Sequence, residues 1–203
     1  MSNSATATNF FSYFTPATGN YGKVDSLLTN VFSPESGTGT GELPCVAVTQ
    51  HGFGIGPAFY GKRRVTKLFN RFFNAFDGLT LAPLGAQALL LTSADGSTIA
   101  VQLTITGTHG DWWFAPGDGD KFYSKPLSDI APTNMPLNPG IAACAVFTFG
   151  ANSLVNQLAM YLDRYKFVEQ LSPSQGTNLN SFVTAAIQPE FHERQPEFHE
   201  RKR

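Results

Sequence analysis

Charge is scarce in this sequence. Lys and Arg number 14, Asp and Glu 15, and the 203-residue chain carries a formal net charge of -1. Outside the short Lys62-Arg63-Arg64 run and the extreme C-terminus the basic residues form no stripe, so electrostatic capture of nucleic acid is not expected. Cysteine is equally sparse. Cys45 and Cys144 stand far apart with no CxxC partner, which excludes a zinc ribbon and a disulfide scaffold and leaves two small hydrophobes. No stretch approaches the roughly 18 apolar residues of a membrane span, and Met1 to Asn9 lacks the basic start and apolar run of a secretory leader. The expectation is a cytoplasmic protein with no membrane contact.

Chemical signatures are missing too. The four His do not pair at a metal-ligand spacing within the body of the chain, so neither metal nor cofactor is predicted. The Gly-rich run Gly52 to Gly61 has no GxGxxG order and no Lys-Ser or Lys-Thr after it, and no Ser sits in a GxSxG elbow. A nucleotide phosphate site and the common hydrolase are thereby set aside.

Phenylalanine is abundant. Eighteen Phe, within 42% hydrophobic residues, are enough to build a substantial aromatic core, filled or lining a pocket. Length and composition favour one α+β domain over residues 1–171 and a C-terminal extension over 172–203. That extension repeats QPEFHER, at Gln188 to Arg194 and again at Gln195 to Arg201. Two copies are too few for a stacked repeat architecture, which leaves a tail or a partner-binding arm.

Between Asn9 and Phe32 the apolar spacing predicts a short helix around Phe10, Phe11 and Phe14, then a second on Val24, Leu27, Leu28 and Val31. Leu43 to Thr49 reads as a strand, and Gly52 to Gly61 as a loop without regular structure. From Lys62 to Phe76, apolar residues at 65, 68, 69, 72, 73 and 76 mark an amphipathic helix. Strands are then expected over Ala86 to Thr92, Thr98 to Thr106 after the Asp95-Gly96 turn, and from Asp111 to Ala115 or beyond. A long loop spans Pro116 to Gly140. A hairpin, Ile141 to Phe149 and Leu154 to Leu162, and a short helix over Asp163 to Leu171 close the domain.

Gly61, Val65, Phe69, Phe72, Phe73, Phe76 and Leu79, followed by strands ending in Tyr161-Leu162-Asp163 and a short helix, resemble the SnoaL-like branch of the nuclear-transport-factor-2-like superfamily. The resemblance covers most of Phe10 to Leu171. It implies a curved antiparallel sheet wrapped around N-terminal helices, a cone with an apolar pocket between the sheet and the Lys62 to Phe76 helix. The superfamily holds polyketide cyclases, ketosteroid isomerases, limonene epoxide hydrolases, dehydratases and non-catalytic scaffolds, so fold does not decide function. Epoxide hydrolysis by an Asp-Arg-Asp set does not fit: Ala159 or Met160 stands where the first Asp belongs, and Thr98 to Thr106 holds no Arg or Asp. The segment Val48 to Gly52 also lacks the carboxylate base of a steroid-type isomerase.

A cofactor-independent cyclase, isomerase or dehydratase would therefore depend on His51 as base, since imidazole moves protons near neutral pH. Asp163 would orient it or act as acid. The structural alternatives are a His bonded to backbone or exposed on its loop, and an Asp capping the last helix. Tyr60, Phe69, Phe73, Trp112 and Tyr161 are the candidates for contact with a hydrophobic small molecule, each of which could equally be core or rim. His109, in a Gly-Thr-His-Gly turn, reads as a capping or solvated residue. Low charge and the adjacent Trp112 and Trp113 favour a homodimer, and a non-catalytic dimeric interaction module of the same fold is the competing function.

Overall fold

The structure is a computed structural model that describes residues 2–34, 47–51, 58–84, 91–111 and 133–171. Trp112, Trp113, most of the Pro116 to Gly140 loop and the whole C-terminal extension lie outside the described residues. Helices α1 (Asn3–Ser12) and α2 (Val24–Val31) come first, then strands β1 (Ala47–His51) and β2 (Ala58–Tyr60) and helix α3 (Lys62–Ala75). Strands β3 (Phe76–Pro83), β4 (Leu91–Thr92), β5 (Thr98–His109), β6 (Ile141–Phe149) and β7 (Val155–Leu162) follow, and α4 (Arg164–Leu171) ends the described chain.

All strands join one sheet in the order β2-β1-β7-β6-β5-β3, with β4 also on β5. Every pairing is antiparallel except β1 with β7, which is parallel. Alternation along the strands sets the faces. Val101, Leu103, Ile105, Ala145, Phe147, Leu158 and Met160 are buried beneath the helices, and their neighbours in sequence point the other way. This is the α+β arrangement expected, with helices packed on one face of a sheet.

Helix α3 forms where the apolar periodicity predicts it, and its buried stripe is Val65, Leu68, Phe69, Phe72 and Ala75. Helix α1 starts earlier than expected. Ser2 caps it, its Oγ accepting the Ala5 N–H at 3.2 Å, and polar side chains on the exposed side conceal the helix from a count of apolar spacing. Phe10 then enters the centre of the core. Its ring, 0% exposed, lies 4.9 Å from Phe14, 5.2 Å from Phe147 of β6, 5.3 Å from Phe11, 6.1 Å from Phe69 of α3 and 6.3 Å from Phe32. Most of these contacts are edge-to-face, the geometry that ring quadrupoles favour.

Two expectations need correction, and one strand was not among the expected elements. The Gly-rich run does hold a regular element: Ala58 to Tyr60 pairs with Ala47 to Thr49 of β1, whose ladder supplies partners that local propensity does not. The unexpected strand is β3, which contains Asp77, Gly78 and Pro83, residues that strands disfavour. In the fold, Gly78 at φ 61° lies where the register shifts between Asp77 and Thr80, and the strand continues on β5 through the irregularity. Strand β5 itself runs three residues past Thr106, to His109.

Phe10 joins both helix layers to the sheet, so truncating it removes contacts on every side. Phe10→Ala is expected to lower unfolding stability by about 3–5 kcal/mol, and Phe73→Ala, at a half-buried ring stacked on Phe14 and edge-to-face with Tyr21, by clearly less. Urea unfolding midpoints of the two variants measure the difference; equal losses would contradict the central placement of Phe10.

Candidate functional site

Strands β1, β7 and β5 point the same way, because β1 is parallel to β7 and β6 reverses between β7 and β5. His51 takes the register position beside Tyr161, two residues short of Asp163, so these three lie near one another at the ends of β1 and β7. His109 is separate from them: the register sets Tyr161 level with Cys144 and Gln102, which leaves His109 three strands across from β1 and about 23 Å further along the strand direction.

The other predicted residues spread more widely. Tyr60 pairs with Ala47 at the opposite end of β1, about 13 Å along the strand from His51. Phe69 is buried among Phe10, Phe14 and Phe32, a core position. Phe73 is half-buried at the edge of that cluster. Tyr161 is 45% exposed, on the face of β7 opposite Leu158 and Met160. Asp163 is exposed, and its Oδ1 accepts the Lys166 N–H at 3.1 Å, the capping bond of α4.

His109 is the residue that the sequence reading undervalued. It does not lie in a solvated turn: its side chain is 0% exposed. Its strand is held on both sides. Phe76 pairs with it from β3, while Thr133 to Leu137 runs along the other side, where the His109 N–H donates to the Met135 carbonyl at 3.0 Å and the Asn134 N–H donates to the His109 carbonyl at 2.8 Å. Gly110 next to it leaves room for the Asp77 carboxylate, whose Oδ2 would stand 2.5 Å from a Cβ there. The imidazole lies 5.3 Å from the Phe76 ring, and Phe167 of α4 also packs on Phe76, at 6.1 Å. Nδ1 is 3.2 Å from Thr133 Oγ1. Nε2 is buried and has no hydrogen-bond partner among the described residues.

Burial pushes the His109 pKa below its ordinary 6.5, against a smaller upward pull from Asp111. The ring is thus neutral at neutral pH. If Nδ1 donates to Thr133, Nε2 offers a lone pair; if the Thr133 hydroxyl donates, Nε2 carries the proton. Either tautomer leaves one polar atom facing apolar surroundings. The only sequence signal for it was the Gly107-Thr108-His109-Gly110 string, which reads as a turn by composition.

A separate groove of about 320 Å³ opens at the other end of the sheet, between Leu28 and Phe32 of the α2 segment, Lys62 at the start of α3, and Leu154. It does not approach His109.

No family model matches the sequence, and neither does any curated protein. Solved structures do. A protein of Jannaschia sp. CCS1 named as a SnoaL-like polyketide cyclase superposes with a TM-score of 0.57 at 15% identity, over 84% of this chain and 91% of that one. A protein of Pseudomonas putida KT2440 named as a polyketide cyclase gives 0.56 at 16%, over 84% and 98%. The chain has the SnoaL-like fold. A ketosteroid-isomerase-like protein of Catenulispora acidiphila DSM 44928, crystallised with trimethylamine, shares this SnoaL-like, nuclear-transport-factor-2-like architecture at a TM-score of 0.51 and 9% identity, over 81% and 90%. At these identities the likeness concerns the fold alone. No helix among the described residues is long and apolar enough to cross a membrane.

A neutral buried His ties stability to pH with a definite sign. The folded pKa lies below 6.5, so as pH falls below 6.5 the unfolded chain takes up a proton that the folded chain refuses, and stability is lost with acidification. For one group the slope reaches at most about 1.4 kcal/mol per pH unit. The stability of the wild type should therefore decline below pH 6.5 more steeply than that of His109→Gln. Parallel stability profiles for the two proteins would contradict a neutral His109.

Proposed function

We propose that this chain binds a small hydrophobic molecule in the interior at the His109 end of the sheet, with Nε2 as the polar contact that orients the ligand. It would act in the cytoplasm as a homodimer. The observation that carries the reading is a fully enclosed imidazole nitrogen with no partner among the described residues. Leaving such a group unsatisfied costs about 1–3 kcal/mol, and orphaned buried polar atoms in native proteins call for an explanation. A buried polar atom beside an apolar ring, here Phe76 at 5.3 Å, is a usual element of a ligand site. The polyketide-cyclase names of two structural neighbours fit a fused-ring ligand.

A fluorescence titration with 2-naphthol, a fused-ring phenol whose hydroxyl can give or take a hydrogen bond, tests this. His109→Phe keeps a ring of similar volume and removes the nitrogen. Its affinity should fall about tenfold, the worth of one hydrogen bond. Equal binding by a folded His109→Phe, or none by the wild type, would rule the reading out.

A proton-transfer reading, with His51 as base and Asp163 as its acid or orienting partner, draws support from the parallel β1–β7 pairing, which sets His51 two register positions from Asp163. It would make the protein a cofactor-independent cyclase or isomerase. The capping role of Asp163 can be separated from an acid role, since Asn caps a helix as well as Asp. Asp163→Asn should melt like the wild type and yet, with His51→Ala, lose deuterium exchange next to the carbonyl of 2-tetralone in heavy water. Exchange that survives both substitutions removes the pair from the chemistry and leaves a binding or interaction module.

A further inference from the structure

The groove between α2, the start of α3 and the start of β7 lies at the end of the sheet away from His109, and the fold builds it from fixed parts. The bridge between Phe32 and Val155, with the Ser33 N–H donating to the Val155 carbonyl at 2.9 Å, holds the end of α2 against β7. That sets Leu154 in one lining with Leu28 and Phe32. Gly61, at φ 82°, turns the chain from β2 into α3 and brings Lys62 to the same groove. Leu28 and Phe32 are buried residues of the core, whereas Thr29, Pro34 and Lys62 are exposed, so the groove runs from solvent down to apolar side chains.

Its polar groups are unequal. The Thr29 hydroxyl donates to the Asp25 carbonyl at 2.9 Å, and the Ser33 hydroxyl donates to Asn156 Oδ1. Both of these donors are used within the chain. Lys62 differs, because an ammonium carries three N–H donors and a bond to the chain itself leaves others for a guest. None of the described lining residues is acidic. Arg63 and Arg64, both exposed, follow Lys62, and no acid stands in that first turn of α3. Asp25, one turn before Thr29 on α2, is not among the described lining residues.

We infer that this groove is a binding site for a medium-chain carboxylate, with the aliphatic tail on Leu28, Phe32 and Leu154 and the carboxylate on Lys62. A single ammonium beside an apolar floor matches one negative charge at the end of an apolar body. The volume of about 320 Å³ is at the small end for ligand pockets, which suits one flexible chain. Positive charge gathered at this point, in a chain of net charge -1, favours an anionic head over a neutral one. The site stands apart from the His109 reading and does not depend on it.

The test is isothermal titration calorimetry of the full chain with decanoate, below the concentration at which it forms micelles. The wild type should bind it, and octanoate, two methylenes shorter, about tenfold more weakly. Lys62→Met keeps the unbranched stem and removes the charge; it should weaken decanoate about tenfold, leave decanol unchanged, and be rescued by Lys62→Arg. Thr29→Glu sets a like charge at the edge of the groove and should also weaken decanoate, which keeps the test decisive if Lys62→Met loses its cooperative melt. His109→Phe should bind decanoate as the wild type does, and Lys62→Met should keep 2-naphthol. No decanoate binding by the wild type, or equal binding by the folded Lys62→Met or Thr29→Glu, would overturn the inference. Decanoate binding lost in a folded His109→Phe would place the guest in the interior and overturn the groove while leaving the His109 site standing.

Discussion

Phe10 projects from a ten-residue helix into the inner face of the sheet, and its ring contacts hold the layers together. Phe147 belongs to the third strand of the sheet from one edge, Phe69 to the long amphipathic helix, Phe32 to the end of α2. Backbone bonding ties α2 to the sheet at its end, where the Ser33 N–H donates to the Val155 carbonyl at 2.9 Å. At Phe10 the layers' relative positions follow from ring packing, which is both apolar and orientation-dependent. With α1 and α3 fixed against the middle of the sheet, the strand ends beyond Ile105 and Ile141 are left for other cover, and α4 provides it through Phe167.

That division of labour explains where polar chemistry can exist in the molecule. The volume beneath α1 and α3 is occupied mainly by aromatic rings, with Thr6 of α1 also buried there. At the far end, β5 runs on past its last pairing with β6, Thr133 to Leu137 takes over the vacated lane, and an imidazole is carried into the interior with one nitrogen at Thr133 and the other without a partner among the described residues. Position on the strand puts it there: His109 has the same parity as Val101, Leu103 and Ile105, all inward. Burial then keeps the ring neutral, so it can act as donor or acceptor without a desolvated charge.

Much of the fold was legible in the sequence because it rests on local signals. The 65, 68, 69, 72 spacing can be only a helix, Asp95-Gly96 between alternating runs marks a turn, and Tyr161-Leu162-Asp163 ends a strand with a capping residue in place. What was not legible depends on partners distant in the chain. Strand β3 exists through β5, and β2 through β1. His109 was misjudged for the same reason. Glycines on either side signal a turn locally, but here Gly110 is a clearance for Asp77 and the strand goes on between them. Phe69, by contrast, reads as a pocket ring or a core ring with equal ease, since periodicity reports that a side chain is inward and not whether the space beside it is filled.

The central claim is that His109 Nε2 serves a ligand and not the fold. A high-resolution crystal structure of the chain as purified from its source, inspected at that nitrogen, tests it most directly. The account predicts non-protein density, a bound molecule or ordered water standing in for its polar group, within hydrogen-bond distance of Nε2. A protein atom bonded to Nε2 in that position would contradict it and make His109 a structural residue.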